Sequence, residues 1–132
     1  MKSNLDSLFK NDKGLEENGI WFEIKEGVGF KIKRFGGFNS QAIKAALAKH
    51  YKPYAKMIEA GTFPVDKERE ITLKVFCNAC ITDWKGIEID GKVAEFSQDA
   101  CLALLVSLPE LADSLVKYAS DSQNYREDLG NS

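Results

Sequence analysis

The chain has 132 residues, 29% charged and 44% apolar, with a net charge of −2. That composition excludes a disordered, fibrous or collagen-like protein, and the length suits one domain with its own core. The longest apolar run, Ala100 to Val106, is far too short to cross a bilayer, and Met1-Lys2-Ser3-Asn4-Leu5-Asp6 contains no apolar signal region.

Residues 1–18 are polar apart from Leu5, Leu8 and Phe9, whose spacing suits one short helix that cannot stand alone. They are expected to form a flexible N-terminal arm, a frayed end in the first place, with an arm that folds only when docked as the alternative. From Ile20 the pattern changes to period two. Ile20, Phe22 and Ile24 alternate with Trp21, Glu23 and Lys25, and beyond Glu26-Gly27 so do Val28, Phe30 and Ile32 with Gly29, Lys31 and Lys33. This predicts an antiparallel hairpin with one apolar face. Such a hairpin is marginal alone, so its apolar face must cover other elements. The outer face is expected to carry Trp21, Lys25, Lys31, Lys33 and Phe35.

Gly36-Gly37 breaks the strand, and Asn39 or Ser40 can cap a helix. Ile43, Leu47, His50 or Tyr51, Tyr54 and Ile58 follow at helical spacing, with Pro53 inside the pattern as a kink or a junction of two short helices. Gly61 and Pro64 close the segment. Asp66 is the expected cap of a long helix, with Glu68 in its first turn. Leu73, Phe76, Cys77, Cys80, Ile81 and Trp84 form its apolar stripe, so the helix is predicted to end on Trp84.

The stretch Asp83 to Pro109 then reads as a small irregular hairpin or loop turning at Asp90-Gly91, followed by a helix from Ser97. Ala100, Cys101, Leu104, Leu105 and Leu108 face inward on that helix. Trp84 anchors the join, since a buried tryptophan removes about 150–250 Å² from water. Pro109 suits the first turn of a last helix bearing Leu111, Leu115 and Tyr118. The expected architecture is α+β and mostly α, an N-terminal antiparallel β-hairpin packed on a bundle of about four to five helices. A single globular domain over 19–122 is followed by a polar C-terminal tail, 123–132.

Few constellations suggest chemistry. Cys77-x-x-Cys80 falls on an apolar stripe inside a helix, whereas a redox pair needs a thiol at a helix N-terminus. With Cys101 and His50 it makes a Cys₃His count for zinc, but no second short-spaced ligand pair exists and buried cysteine is common. Three cysteines, an odd count in a chain without a signal region, favour reduced thiols. His50 has no nucleophile or orienting carboxylate in a recognisable motif, and Gly27-x-Gly29 and Gly36-Gly37 are turn glycines rather than a phosphate loop. Asp83, Glu88 and Asp90 lack calcium-loop spacing. Neither an enzyme nor a cofactor is expected.

Charge is unevenly spread. Ile20 to Ile58 holds eight Lys/Arg against two acids, a local +6, while Glu59 to Ser132 holds seven against fourteen, a local −7. A basic front and an acidic back favour head-to-tail self-association, although both can also be plain solvated faces. Interleaved Trp21, Lys31 and Lys33 also allow a small regulatory or nucleic-acid-binding module, against which stand the negative total, Glu23 on the same face and the lack of a nucleic-acid-binding signature.

Asp83-Trp84-Lys85-Gly86-Ile87, Asp90-Gly91-Lys92-Val93, Phe96-Ser97, Leu104-Leu105, Leu108-Pro109-Glu110-Leu111, Tyr118-Ala119 and Asn124-Tyr125-Arg126 stand in the order found in the tail assembly chaperones of long-tailed bacteriophages. The chain resembles that family over roughly Gly19 to Asp128. The resemblance implies a small α-rich protein that self-associates, coats the tape measure protein and keeps it soluble while tail tube subunits polymerise. It implies a frameshifted longer form that recruits tube subunits, a place in the bacterial host cytoplasm, and absence from the mature virion. Trp21, Lys31, Lys33, Phe35 and Phe38 are the candidate partner-binding residues, with packing under the helices as their plain alternative. Trp84, Gly86, Phe96 and Pro109 are the expected structural anchors.

Overall fold

A computed structural model describes residues 2–126. Two short helices, α1 (Asp6–Phe9) and α2 (Lys13–Asn18), lead into strands β1 (Ile20–Lys25) and β2 (Val28–Ile32). Helices α3 (Ser40–Tyr51), α4 (Ala55–Ala60) and α5 (Val65–Cys80) follow. Strand β3 (Ile81–Lys85), the small pair β4 (Glu88–Ile89) and β5 (Lys92–Val93), helices α6 (Gln98–Ser107) and α7 (Pro109–Ser120), and a 3₁₀ turn at Ser122–Tyr125 come next. The fold is α+β and mostly α, with the N-terminal hairpin in place and α3 to α7 as its helices. Of the polar C-terminal tail, 127–132 lies outside the described residues.

Helix α5 is the axis of the core. Ile71, Leu73, Val75, Phe76, Cys77, Ala79 and Cys80 are all buried, more than one stripe's worth, because α3, α6, α7 and the sheet surround it. It begins one residue before the expected cap: Pro64 precedes it, no side chain caps it, and Asp66 and Glu68 sit in the first turn. There they favour the positive end of the helix dipole.

The largest departure from the sequence reading lies at the other end of α5. The helix stops at Cys80, not at Trp84, and Ile81 to Lys85 becomes a third strand on β2. Ile81 and Thr82 are β-branched and lose little in an extended backbone. Phe30 and Ile32, both fully buried, meet Trp84 and Ile81 in register. The sheet therefore runs β1-β2-β3, all antiparallel.

A bulge between Glu23 and Lys25 interrupts the alternation of β1, so Ile24 is exposed rather than facing the core. Asp90 and Gly91, at φ 53° and 78°, form the predicted tight turn between β4 and β5, as a two-residue hairpin with both central residues left-handed requires. Ser97 caps α6 by accepting from the Ala100 N–H at 3.0 Å. Cys101 and Leu105 are its buried residues, and Leu108, expected to point inward, is exposed. At Pro53 the helical path breaks into α3, one 3₁₀ turn and α4.

Two terminal segments are tied in more tightly than their polarity suggests. Asp12 caps α2 and Glu16 is fully buried, so this part of 1–18 is docked on the domain rather than frayed. Tyr125 is also fully buried, and its hydroxyl donates to the Ile32 carbonyl at 3.0 Å.

Candidate interaction surface

The three-stranded sheet places Trp21, Lys31 and Asp83 side by side, and Glu23, Gly29 and Lys85 in the next row. Trp21 is 40% exposed, with the Lys85 ammonium 5.0 Å from its ring centre. The same ammonium pairs with Glu23 at 2.6 Å. So the face is not purely basic: β3, unseen in the sequence, brings Asp83 beside Lys31. Lys33 lies past the end of β2, and its N–H donates to the Cys80 carbonyl at 2.7 Å.

Phe35 does not join this face. Beyond Ile32 the strand has ended and its alternation no longer applies. The Phe35 N–H bonds the Ala119 carbonyl at 2.9 Å, and its ring sits 5.2 Å from Phe76, edge-on. Phe38 stands 49% exposed at the entry to α3 while its N–H donates to Glu16 at 2.8 Å. The structure thus brings Trp21 and Lys31 together, draws Phe35 inward and sets Phe38 above the α2 junction.

The anchors occupy one region, apart from Pro109. Trp84 is buried with Phe96 edge-on at 5.5 Å and Phe30 at 6.1 Å, and its indole N–H donates to the Ala94 carbonyl at 2.9 Å. Gly86 has φ 69°, and a Cβ there would collide with the Gly27 carbonyl oxygen, so only glycine lets the β3 exit pass the hairpin turn. Pro109 opens α7 at a position where no amide donor is needed.

Sequence reasoning missed the junction of Glu16, Arg34 and Asn39. The Arg34 guanidinium donates to Glu16 at 2.9 Å and to the Ser120 carbonyl at 3.3 Å. Asn39 occupies the cap position of α3 but does not cap it; its amide donates instead to the carbonyls of Arg34 (2.9 Å) and Ala79 (3.0 Å). The one available signal was Asp12 and Gly19 bracketing a short helix.

The cysteines are packing residues. The Cys77 and Cys101 sulfurs lie 3.8 Å apart, whereas Cys80 faces the Arg34 carbonyl and Asn39. Among the described residues no three His, Cys, Asp or Glu side chains converge as metal ligands. Burial pushes the Cys80 thiol up to about 12, and contact with Cys77, with burial, raises Cys101. Burial also raises Tyr118 and Tyr125. All four are thereby held neutral. His50 lines a recess of about 320 Å³ with Lys49, Lys74 and Asp99. Among the described residues no helix is long and apolar enough to cross a membrane.

A family model described as YdaY prophage protein matches residues 38–130, which is 93 of the 132. The chain belongs to the YdaY prophage protein family. Neither a curated protein nor a solved structure matches it. The YdaY segment takes in α3 to α7 and β3 to β5, and so includes Trp84, Gly86, Phe96 and Pro109; β1, β2 and the Glu16 helix precede it.

Proposed function

We propose that this prophage-family protein is a tail assembly chaperone that self-associates and coats the tape measure protein. The observation that carries the reading is its exposed apolar side chains outside a closed core: Trp21 and Phe38 lie open to solvent. A client helix with an apolar stripe finds its complement in such side chains, as in helix-in-groove recognition. Membership of a prophage family and the ordered motifs from Asp83 to Arg126 support the same reading.

In this reading the protein acts in the host cytoplasm, yields its client as tube subunits assemble, and is absent from the mature virion. A longer, frameshifted form recruits the tube subunits. A nucleic-acid module on the hairpin draws less support, since Glu23 and Asp83 share the face with Lys31 and Lys85.

The test is co-expression with the tape measure protein of the same prophage. The client stays soluble with the native chain, and loses solubility when Trp21→Ala and Phe38→Ala are combined. An insoluble client beside folded, abundant chaperone removes the reading.

A further inference from the structure

Two elements hold mainly to themselves. Helix α4 buries no residue and packs chiefly on the turn before it, steadied by Tyr54 edge-on to Phe63 at 5.4 Å. The β4–β5 hairpin likewise has no buried position, and β4 packs chiefly on β5. Each displays apolar side chains to water: Met57 and Ile58 on α4, Ile89 and the 80%-exposed Val93 on the hairpin.

Their charges are opposite and unspent. Around α4, residues 40–61 hold Lys44, Lys49, Lys52 and Lys56 against Glu59. Around the hairpin, residues 87–95 hold Glu88, Asp90 and Glu95 against Lys92. None of these residues makes an ion pair among the described residues, whereas Lys67, Arg69, Lys74 and Lys85 all do. Along the chain α4 lies just before α5 and the hairpin just after the strand that continues it, so the two do not form one continuous patch of sequence. On the hairpin Val93 shares a face with Glu88, while Ile89 shares the other with Lys92. Exposed apolar side chains flanked by unpaired charge are the form of a protein interface, and here the chain supplies both halves.

We propose that the α3–α4 face of one copy docks onto the β4–β5 hairpin of a second copy. Met57 meets Val93, and Lys52 and Lys56 meet Glu88 and Glu95, since Glu88 pairs with Val93 and so shares its face of the hairpin. Because the two patches differ, the contact is heterologous and propagates from copy to copy. This inference rests on the self-associating reading above and gives it an address.

Sedimentation of the full chain tests it, using Lys52→Glu with Lys56→Glu as one variant and Glu88→Lys with Glu95→Lys as another. All four side chains are exposed, so the fold is retained. Each double reversal weakens self-association roughly tenfold or more by setting like charges together. Mixing the two variants restores it, since each then offers charges that complement the other at both junctions. The proposal is overturned if native chains associate but neither reversal changes them, or if the mixture stays dissociated. Either result leaves the client-solubility test standing, so loss of the interface and loss of the chaperone reading are separately visible. A native chain that is monomeric at low salt and high concentration removes the interface and the self-association it rests on.

Discussion

Glu16 and Arg34 form an ion pair at 2.9 Å in which the carboxylate has no exposure and the guanidinium little. It joins a helix of the N-terminal segment to the residue where the hairpin leaves β2. Glu16 also accepts from the Phe38 amide and Arg34 also donates to the Ser120 carbonyl, while the buried Arg34 Nε has no partner among the described residues. Breaking a buried pair from one side leaves an uncompensated charge, at about 3–5 kcal/mol. Arg34→Ala is therefore expected to lower stability by about that amount in urea unfolding. Replacing both members by Met is milder, because no charge is stranded. If the double variant is as unstable as the single one, the stranded-charge account fails.

Trp84 gives the next prediction. Trp84→Ala empties the space between Phe30 and Phe96 and is expected to cost about 3–5 kcal/mol. Trp84→Phe keeps most of the packing and loses the bond to Ala94, for about 1–2 kcal/mol with some repacking. Thermal unfolding by circular dichroism ranks the two; equal losses would deny the hydrogen bond and shape any separate part.

Two glycines with similar backbone angles should respond differently. At Gly91, φ is 78° and a Cβ meets nothing within 4 Å, so alanine pays only the left-handed penalty of about 1–2 kcal/mol. At Gly86 the same penalty adds to a collision with the Gly27 carbonyl oxygen. Gly86→Ala is expected to be clearly the more destabilising in denaturant melts, and parity would mean the hairpin turn yields easily.

Alkaline pH should unfold the chain through its buried acids. Cys80 rises from 9.0 to about 12, and Cys101, Tyr118 and Tyr125 rise too. Between the unfolded and folded values the unfolded chain binds fewer protons, so stability falls as pH rises. The stabilisation from Cys80 is whole below about pH 9 and lost by about pH 12, at most about 1.4 kcal/mol per unit. Cys80→Ala is expected to flatten the decline in urea midpoints over this window. Thiol labelling at pH 8 should track global unfolding only.

What could be read in the sequence was local. The β1–β2 hairpin shows in strict alternation, the Asp90-Gly91 turn in its dipeptide, and the α6 start in Ser97. Strand β3 was hidden because Ile81 and Trp84 also continue the helical spacing of Cys77 and Cys80. The pairing that overrides this spacing comes from β2, some fifty residues earlier in the chain. Phe35 was misdirected by carrying alternation past the strand's end, and Ile24 by a bulge no composition announces. Glu16 is an ordinary acid in an acidic-looking segment until the fold brings Arg34 to it.

Tyr125 was masked in the same way, a lone aromatic in a polar tail. The chain places it at full burial, near Tyr118 and bonded to the Ile32 carbonyl, so it locks the sheet to the end of α7. Tyr125→Phe removes one buried hydrogen bond, for about 0.5–1.5 kcal/mol. Ending the chain at Ser120 removes the whole ring and is expected to cost about 3–5 kcal/mol. A longer form that diverges after Tyr125 should then match the native chain in unfolding temperature. One that diverges between Ser120 and Tyr125 should melt like the truncation unless it restores an aromatic at that position. Unfolding temperatures that are indifferent to the point of divergence would show that the ring is only a passenger.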